Sequence, residues 1–160
     1  MIEKKCVGGC CSMFSTEYNA ENEEKSWIVG NPKAGALLFD ETNNAVLLVQ
    51  SRGNLWGISK GSLESGETPI EGAIREVMEE TGIDISACDL SESVVLYNLS
   101  TYFFIQHATC DVSIQDEVLG NDVTAVAWLR LPCLKTLINN NDIKLTKHAK
   151  IVLKKYLDFT

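Results

Sequence analysis

The chain has 160 residues, 45% hydrophobic and 22% charged, which suits one globular domain whose core needs no covalent staples. No apolar run approaches the ~20 residues of a bilayer-spanning helix, so a membrane-embedded reading is excluded. A formal net charge of −8 excludes a broad, nonspecific nucleic-acid surface, because such binding is carried by Lys and Arg.

Residues 1–26 carry no period and turn acidic after Phe14, so a loosely ordered lead-in is expected, with the folded domain running over 27–160. Two lysines open this segment without a following apolar stretch, so no secretory signal is read and a reducing, cytoplasmic setting is expected. Cys6, Cys10 and Cys11 stand close enough for a metal knuckle. His107 and His148 are distant, however, and Cys88, Cys110 and Cys133 stand at no ligand spacing, so reduced thiols without zinc are expected.

Two apolar runs, 34–39 and 45–50, flank Asp40-Glu41-Thr42-Asn43-Asn44, which is how a hairpin is written. A helix is predicted over 69–81, with Thr68 as N-cap, Pro69 in its first position, Glu71 completing a capping box and Gly82 closing it. Residues 93–99, 102–109 and 123–131 are rich in Val, Leu and aromatics and read as strands; 134–138 and 146–157 read as helices. The last of these carries most of a lysine-rich stretch, Lys144, Lys147, Lys150, Lys154 and Lys155, either a solvated face or a local basic patch. Strands, helix, strands, helix is the order of an α/β domain, a mixed sheet with helices on its faces.

On the predicted helix Glu76, Glu79 and Glu80 share an arc of about 100°, while Ile70, Ala73, Ile74, Val77 and Thr81 face the other way. Like charges at these spacings cost a few tenths of a kcal/mol per exposed pair. A hard cation removes that cost, and oxygen-only ligation suits Mg2+ or Mn2+ presented to a phosphate chain. A solvated acidic face is the competing reading of three glutamates taken alone.

The surrounding residues decide between them. From Gly61 the chain runs Gly, five residues, Glu67, seven residues, Arg75-Glu76, Val77, one residue, Glu79-Glu80, one residue, Gly82 and Ile83. This pattern resembles the full signature of Nudix hydrolases, and the resemblance extends over roughly residues 32–157. It implies an α/β/α sandwich in which the signature forms a loop, a helix and a loop. It further implies that Glu76, Glu79 and Glu80 bind divalent metal with the Lys60 carbonyl, and that Glu67 pairs with Arg75 to hold the loop on the helix, with Gly61 and Gly82 at its ends. Asp122 stands where a later carboxylate binds metal or acts as base, with Glu117 as its substitute and Glu79 as another candidate base.

Trp56-Gly57-Ile58-Ser59-Lys60-Gly61 is similar to the corresponding segment of mRNA-decapping enzymes and, less fully, of asymmetric diadenosine tetraphosphate hydrolases, with Ser59 where proline is usual. The implied activity is hydrolysis of a pyrophosphate linkage in an RNA 5′ cap or a dinucleoside polyphosphate. Arg52, Trp56 and Lys60 are the candidate substrate contacts, and the lysines from Lys144 to Lys155 a candidate RNA contact. Trp56 could instead pack beneath the loop, as could Tyr97 and Tyr102, and His107 reads as a structural histidine in an apolar strand. The alternatives are a diphosphoinositol polyphosphate or nucleoside diphosphate-derivative pyrophosphatase and, from another class, a nucleotide-sensing module that does not cleave.

Overall fold

In a computed structural model, which describes residues 2–16, 30–51, 55–115 and 122–160, the amino-terminal segment departs first from expectation. β1 (Ile2–Lys5) and β2 (Ser12–Ser15) pair antiparallel, and β2 pairs in turn with residues Ala125 to Ala127 of a later strand. The expected loose lead-in is corrected over these residues; 17–29, Trp27 included, lie outside the described residues. β1 is exposed throughout, and of β2 only Met13 and Phe14 reach the cores, one on each face of the sheet. Backbone pairing to a core strand orders the hairpin, and that leaves no period in the sequence.

β3 (Lys33–Asp40) and β4 (Ala45–Ser51) are the expected hairpin. Both are buried on two faces, as near-continuous apolar strands are. Val46 and Leu48 enter one core cluster; Ala45, Leu47 and Val49 enter the other. The Asp40 carboxylate closes the turn, accepting from the Asn43 backbone N–H and Nδ2 and from the Thr109 N–H and hydroxyl. β3 and β4 pair at Phe39 and Val46 and then part. Into the opening run β5 (Leu55–Gly57), antiparallel to β4, and β6 (Ser59–Ser62), antiparallel to the first half of β3. Neither short strand is expected from the sequence, yet together they carry the segment that precedes the signature.

α1 (Pro69–Thr81) follows on one face of the sheet and buries Gly72, Ala73, Val77, Glu80 and Thr81. Ile70, expected on the packed face, is 44% exposed, because it lies in the first turn, beyond the edge of the core. β7 (Ser93–Leu96) and β8 (Ser100–Gln106) form a hairpin whose turn comes three residues earlier than expected, over 97–99, with Tyr97 and Asn98 both at positive φ and the Leu99 N–H donating to the Leu96 carbonyl. β8 lies parallel to β3, and β9 (Ala125–Arg130) antiparallel to β4.

α2 (Leu131–Asn139) starts where the last predicted strand was expected to end, Pro132 opening it without a side-chain cap. β10 (Lys144–Leu145) pairs with β5, and α3 (Lys147–Leu157) is capped by Thr146. The main sheet path is β1-β2-β9-β4-β3-β8-β7. α1 covers one face and α2 with α3 the other, giving the α/β/α sandwich. Among the described residues no helix is long and apolar enough to cross a membrane.

Candidate active site

α1 owes its position to its ends. Thr68 accepts from the Glu71 backbone N–H at 3.2 Å, Glu71 accepts from the Thr68 N–H at 2.9 Å, and Gly82 closes the helix at φ 77. The loop ahead of it is tied down by Arg75. Its Nε and Nη2 each donate to the Glu67 carboxylate at 2.8 Å, Nη2 donates to the Ser62 carbonyl at 3.0 Å, and Nη1 donates to Glu76 Oε1 at 2.8 Å. Glu67 also accepts from the Glu64 N–H. These bonds hold the Glu67 carboxyl below the usual carboxylate range, with Arg75 the main cause. β6 meets the helix at Gly61, where a Cβ would occupy the space of the Glu76 carboxylate.

Between β6 and α1 lies a cleft of about 430 Å³ lined by Lys33, Lys60, Glu76, Glu79, Glu80 and Asp122, with Gly61 and Arg75 also in its wall. The acidic face is not a solvated one. Glu80 is 5% exposed, and its Oε2 is buried with no hydrogen-bond partner among the described residues. Burial first, then the charge of Glu76, pushes the Glu80 carboxyl well above the usual range, against the pull of Lys60. Glu76 is raised too, again by burial, with Arg75 opposing. A buried carboxylate oxygen without a partner among the described residues, in a cleft lined mostly by polar and charged groups, fits a hard divalent cation. Glu76, Glu79 and Glu80 are the residues that could hold it.

Asp122 and Lys60 stand in the same cleft, so chain topology brings together the helix, β6 and the segment before β9. Arg52 and Glu117 lie outside the described residues. Trp56, a candidate substrate contact that could instead pack beneath the loop, does the latter, which corrects its place among the substrate contacts: it is 4% exposed and packed into the α2 and α3 core, while on β5 Gly57 lines the cleft and Leu55 is exposed. Gly82 caps the helix and lies where a Cβ would collide with Ser113. His107, just past the end of β8, stacks on Trp128 at 6.2 Å and keeps its Nδ1 against the Ala108 carbonyl.

One cleft residue escapes sequence reasoning. Lys33 opens β3, and its ammonium is made less basic by burial and then by Lys60, while Asp122 and Glu76 act the other way. A basic aromatic rim lies beyond: the Tyr102 hydroxyl meets His148 Nδ1 at 2.6 Å, exposed Tyr97 stacks on His148 at 5.5 Å, and Lys147 Nζ sits 4.9 Å over the Tyr97 ring. Burial, then Lys60, Lys33 and Lys147 in turn, lower the basicity of His148. A lysine at a strand start carries no signal until the sheet assembles the cleft, whereas Tyr97, Tyr102 and Lys147 are candidates in the sequence that the fold gathers around His148.

The family model of the NUDIX domain matches residues 31–149. The m7GpppN-mRNA hydrolase dcap-2 of Caenorhabditis elegans is 25% identical over 165 residues, covering 85% of this chain and 20% of that protein. The mRNA-decapping enzyme subunit 2 of Arabidopsis thaliana is 27% identical over 130 residues, covering 79% of this chain and 34% of that protein. The chain thus spans a fifth and a third of these relatives' lengths. Among solved structures, the E. coli dihydroneopterin triphosphate pyrophosphohydrolase superposes with a TM-score of 0.58 at 18% identity, over 80% of this chain and 95% of that one, a likeness of fold. Because the matched span runs from just before β3 into α3 and so takes in every residue that lines the cleft, the chain belongs to the NUDIX domain family, a family of hydrolases.

Proposed function

We propose that the chain hydrolyses a pyrophosphate linkage in a nucleotide-type substrate, an RNA 5′ cap or a dinucleoside polyphosphate, with Mg2+ or Mn2+ held by Glu76, Glu79, Glu80 and the Lys60 carbonyl. The observation that carries the reading is a buried Glu80 oxygen, without a hydrogen-bond partner among the described residues, in a cleft that also presents Lys33 and Lys60. Carboxylates alone would repel a polyphosphate; lysines alone would bind it without activating water. Both together suit a cation and a polyphosphate bound side by side.

Bound there, the cation would polarise a phosphoryl oxygen and lower the pKa of an attacking water. Lys33 and Lys60 would neutralise and orient the phosphate chain. Arg75 and Glu67 would keep Glu76 aimed into the cleft, and Asp122 or Glu79 would take the proton from water. Tyr97 offers an exposed ring for a nucleobase, with Lys147 beside it for a neighbouring phosphate. From Lys147 the basic side of α3 leads away from the cleft, a path for an RNA strand. The decapping activity in the printed names of the two relatives supports the cap as first substrate to try.

The test is incubation with Mg2+ and cap-labelled RNA, followed by identification of the released nucleotide. Release of a cap nucleoside diphosphate by the parent and not by Glu79→Gln is the expected result. Release from free dinucleoside polyphosphates alone narrows the substrate to that class. Turnover by Glu79→Gln at the parent's rate would refute the metal assignment.

A further inference from the structure

Away from the cleft, four cysteines meet at one point. Cys6, Cys10 and Cys11 come from the turn of the β1–β2 hairpin and Cys133 from the first turn of α2; their sulfurs all lie within 4.8 Å of one another. Cys10 Sγ is 3.7 Å from both Cys6 Sγ and Cys11 Sγ, and 3.2 Å from Cys133 Sγ. Thiolates bound at ~2.3 Å around a tetrahedral zinc ion stand ~3.8 Å apart. The observed spacings need shifts of only tenths of an ångström to about one. We propose that the hairpin turn and the start of α2 form a four-cysteine structural zinc site, distinct from the hydrolytic cleft.

The backbone around the sulfurs is built as a metal knuckle. Gly9 turns the chain at φ 73 and donates to the Cys6 carbonyl, and the Cys6 N–H donates to the Cys11 carbonyl at 3.0 Å. The Arg130 N–H points at Cys11 Sγ from 3.4 Å, a contact that favours thiolate over thiol.

Two plainer readings fail. If the cluster were only apolar packing, all four residues would be buried, yet Cys10 is exposed and still turns its sulfur onto three others. If it were a disulfide, one pair would stand apart at ~2.05 Å and two thiols would remain without a partner. Instead Cys10 has three sulfur neighbours at similar distances. The site also accounts for the order of a hairpin that buries little: the metal would bind its turn to α2 at the end of β9 where the backbone ladder stops.

The experiment uses the full chain, purified under reductant, with zinc measured by elemental analysis and its ligands by X-ray absorption. About one zinc per chain with four sulfur neighbours at ~2.3 Å is expected. Substitution by Co2+ should give the intense visible bands of a tetrahedral tetrathiolate, lost in Cys133→Ser and kept in Cys88→Ser. Should Cys133→Ser fail to fold, metal content and absorption of the parent decide alone. A parent that binds no zinc after reconstitution, binds it through fewer than four sulfurs, or loses two hydrogens of mass to a disulfide under reductant overturns the proposal. None of these readouts depends on hydrolysis.

Discussion

Arg75 donates to Glu67 through two nitrogens and to the Ser62 carbonyl and Glu76 at once, a planar fork matched to partners on three sides. Lysine has the charge without the fork and can satisfy only part of that set. With hydrogen bonds to charged groups worth ~1.5–3 kcal/mol, Arg75→Lys should cost about 2 kcal/mol, read as a fall in Tm of roughly 4–8 °C. An unchanged melting curve would mean that the loop is held by something else. Gly61→Ala tests the neighbouring contact. The added methyl would compete with the Glu76 carboxylate for space, and the far end of that side chain can swing away. The fold should therefore survive while the metal ligand is displaced. The expected result is a Mg2+ requirement raised about tenfold or more, the scale seen when a ligand's support is lost, at nearly constant Tm. A large drop in Tm with unchanged Mg2+ dependence would contradict it.

The same logic scales up to the β3–β4 hairpin, whose turn hangs on one carboxylate. Four donors, from Thr109 and Asn43, hold Asp40 well below the usual aspartate range. A depressed folded-state pKa stabilises the fold at every pH above the unfolded value near ~4, and that contribution is lost as pH falls through and below it. Parent protein should thus lose Tm between pH ~5 and ~2 more steeply than Asp40→Asn, whose side chain cannot titrate; parallel curves would remove Asp40 from the account. Elements such as this hairpin and α1 were legible in the sequence because each is specified locally, by continuous apolar runs on either side of turn residues or by caps at fixed offsets. β5, β6 and β10 were not. They are two to four residues long; β5 and β6 hold Gly or Ser and exist because β3 and β4 part and leave backbone to be paired, and β10 exists because β5 offers its other edge. The acidic trio could be read off one helix for the same local reason. Lys33, Tyr97 and His148 reach the site only through strand pairing and helix docking, and Cys133 reaches Cys6, Cys10 and Cys11 only because β2 pairs with β9.

For the molecule as a whole, the charge distribution sets a problem that its substrate must solve. The chain carries a formal net charge of −8, yet its cleft gathers Lys33 and Lys60 beside the glutamates, and Lys147 stands on the rim by Tyr97 and His148. A polyphosphate approaching from solvent meets repulsion at long range and attraction only near the cleft. Salt screens both, but unequally. At ~0.15 M the Debye length is ~8 Å, so the diffuse repulsion is already weak at physiological ionic strength, whereas contacts to half-buried lysines persist further and are what added salt then erodes. Raising NaCl from ~0.05 to ~0.5 M should accordingly raise KM for a dinucleoside polyphosphate several-fold while kcat stays nearly constant, since groups deep in the cleft, such as Glu80, are shielded from ions in bulk. Lys147→Ala should flatten that salt dependence and leave kcat intact, as it is exposed to the approach and stands outside the carboxylate cluster. If KM is indifferent to salt, or if kcat falls with it, the lysines do not grip phosphate and the basic rim is a solvated face after all.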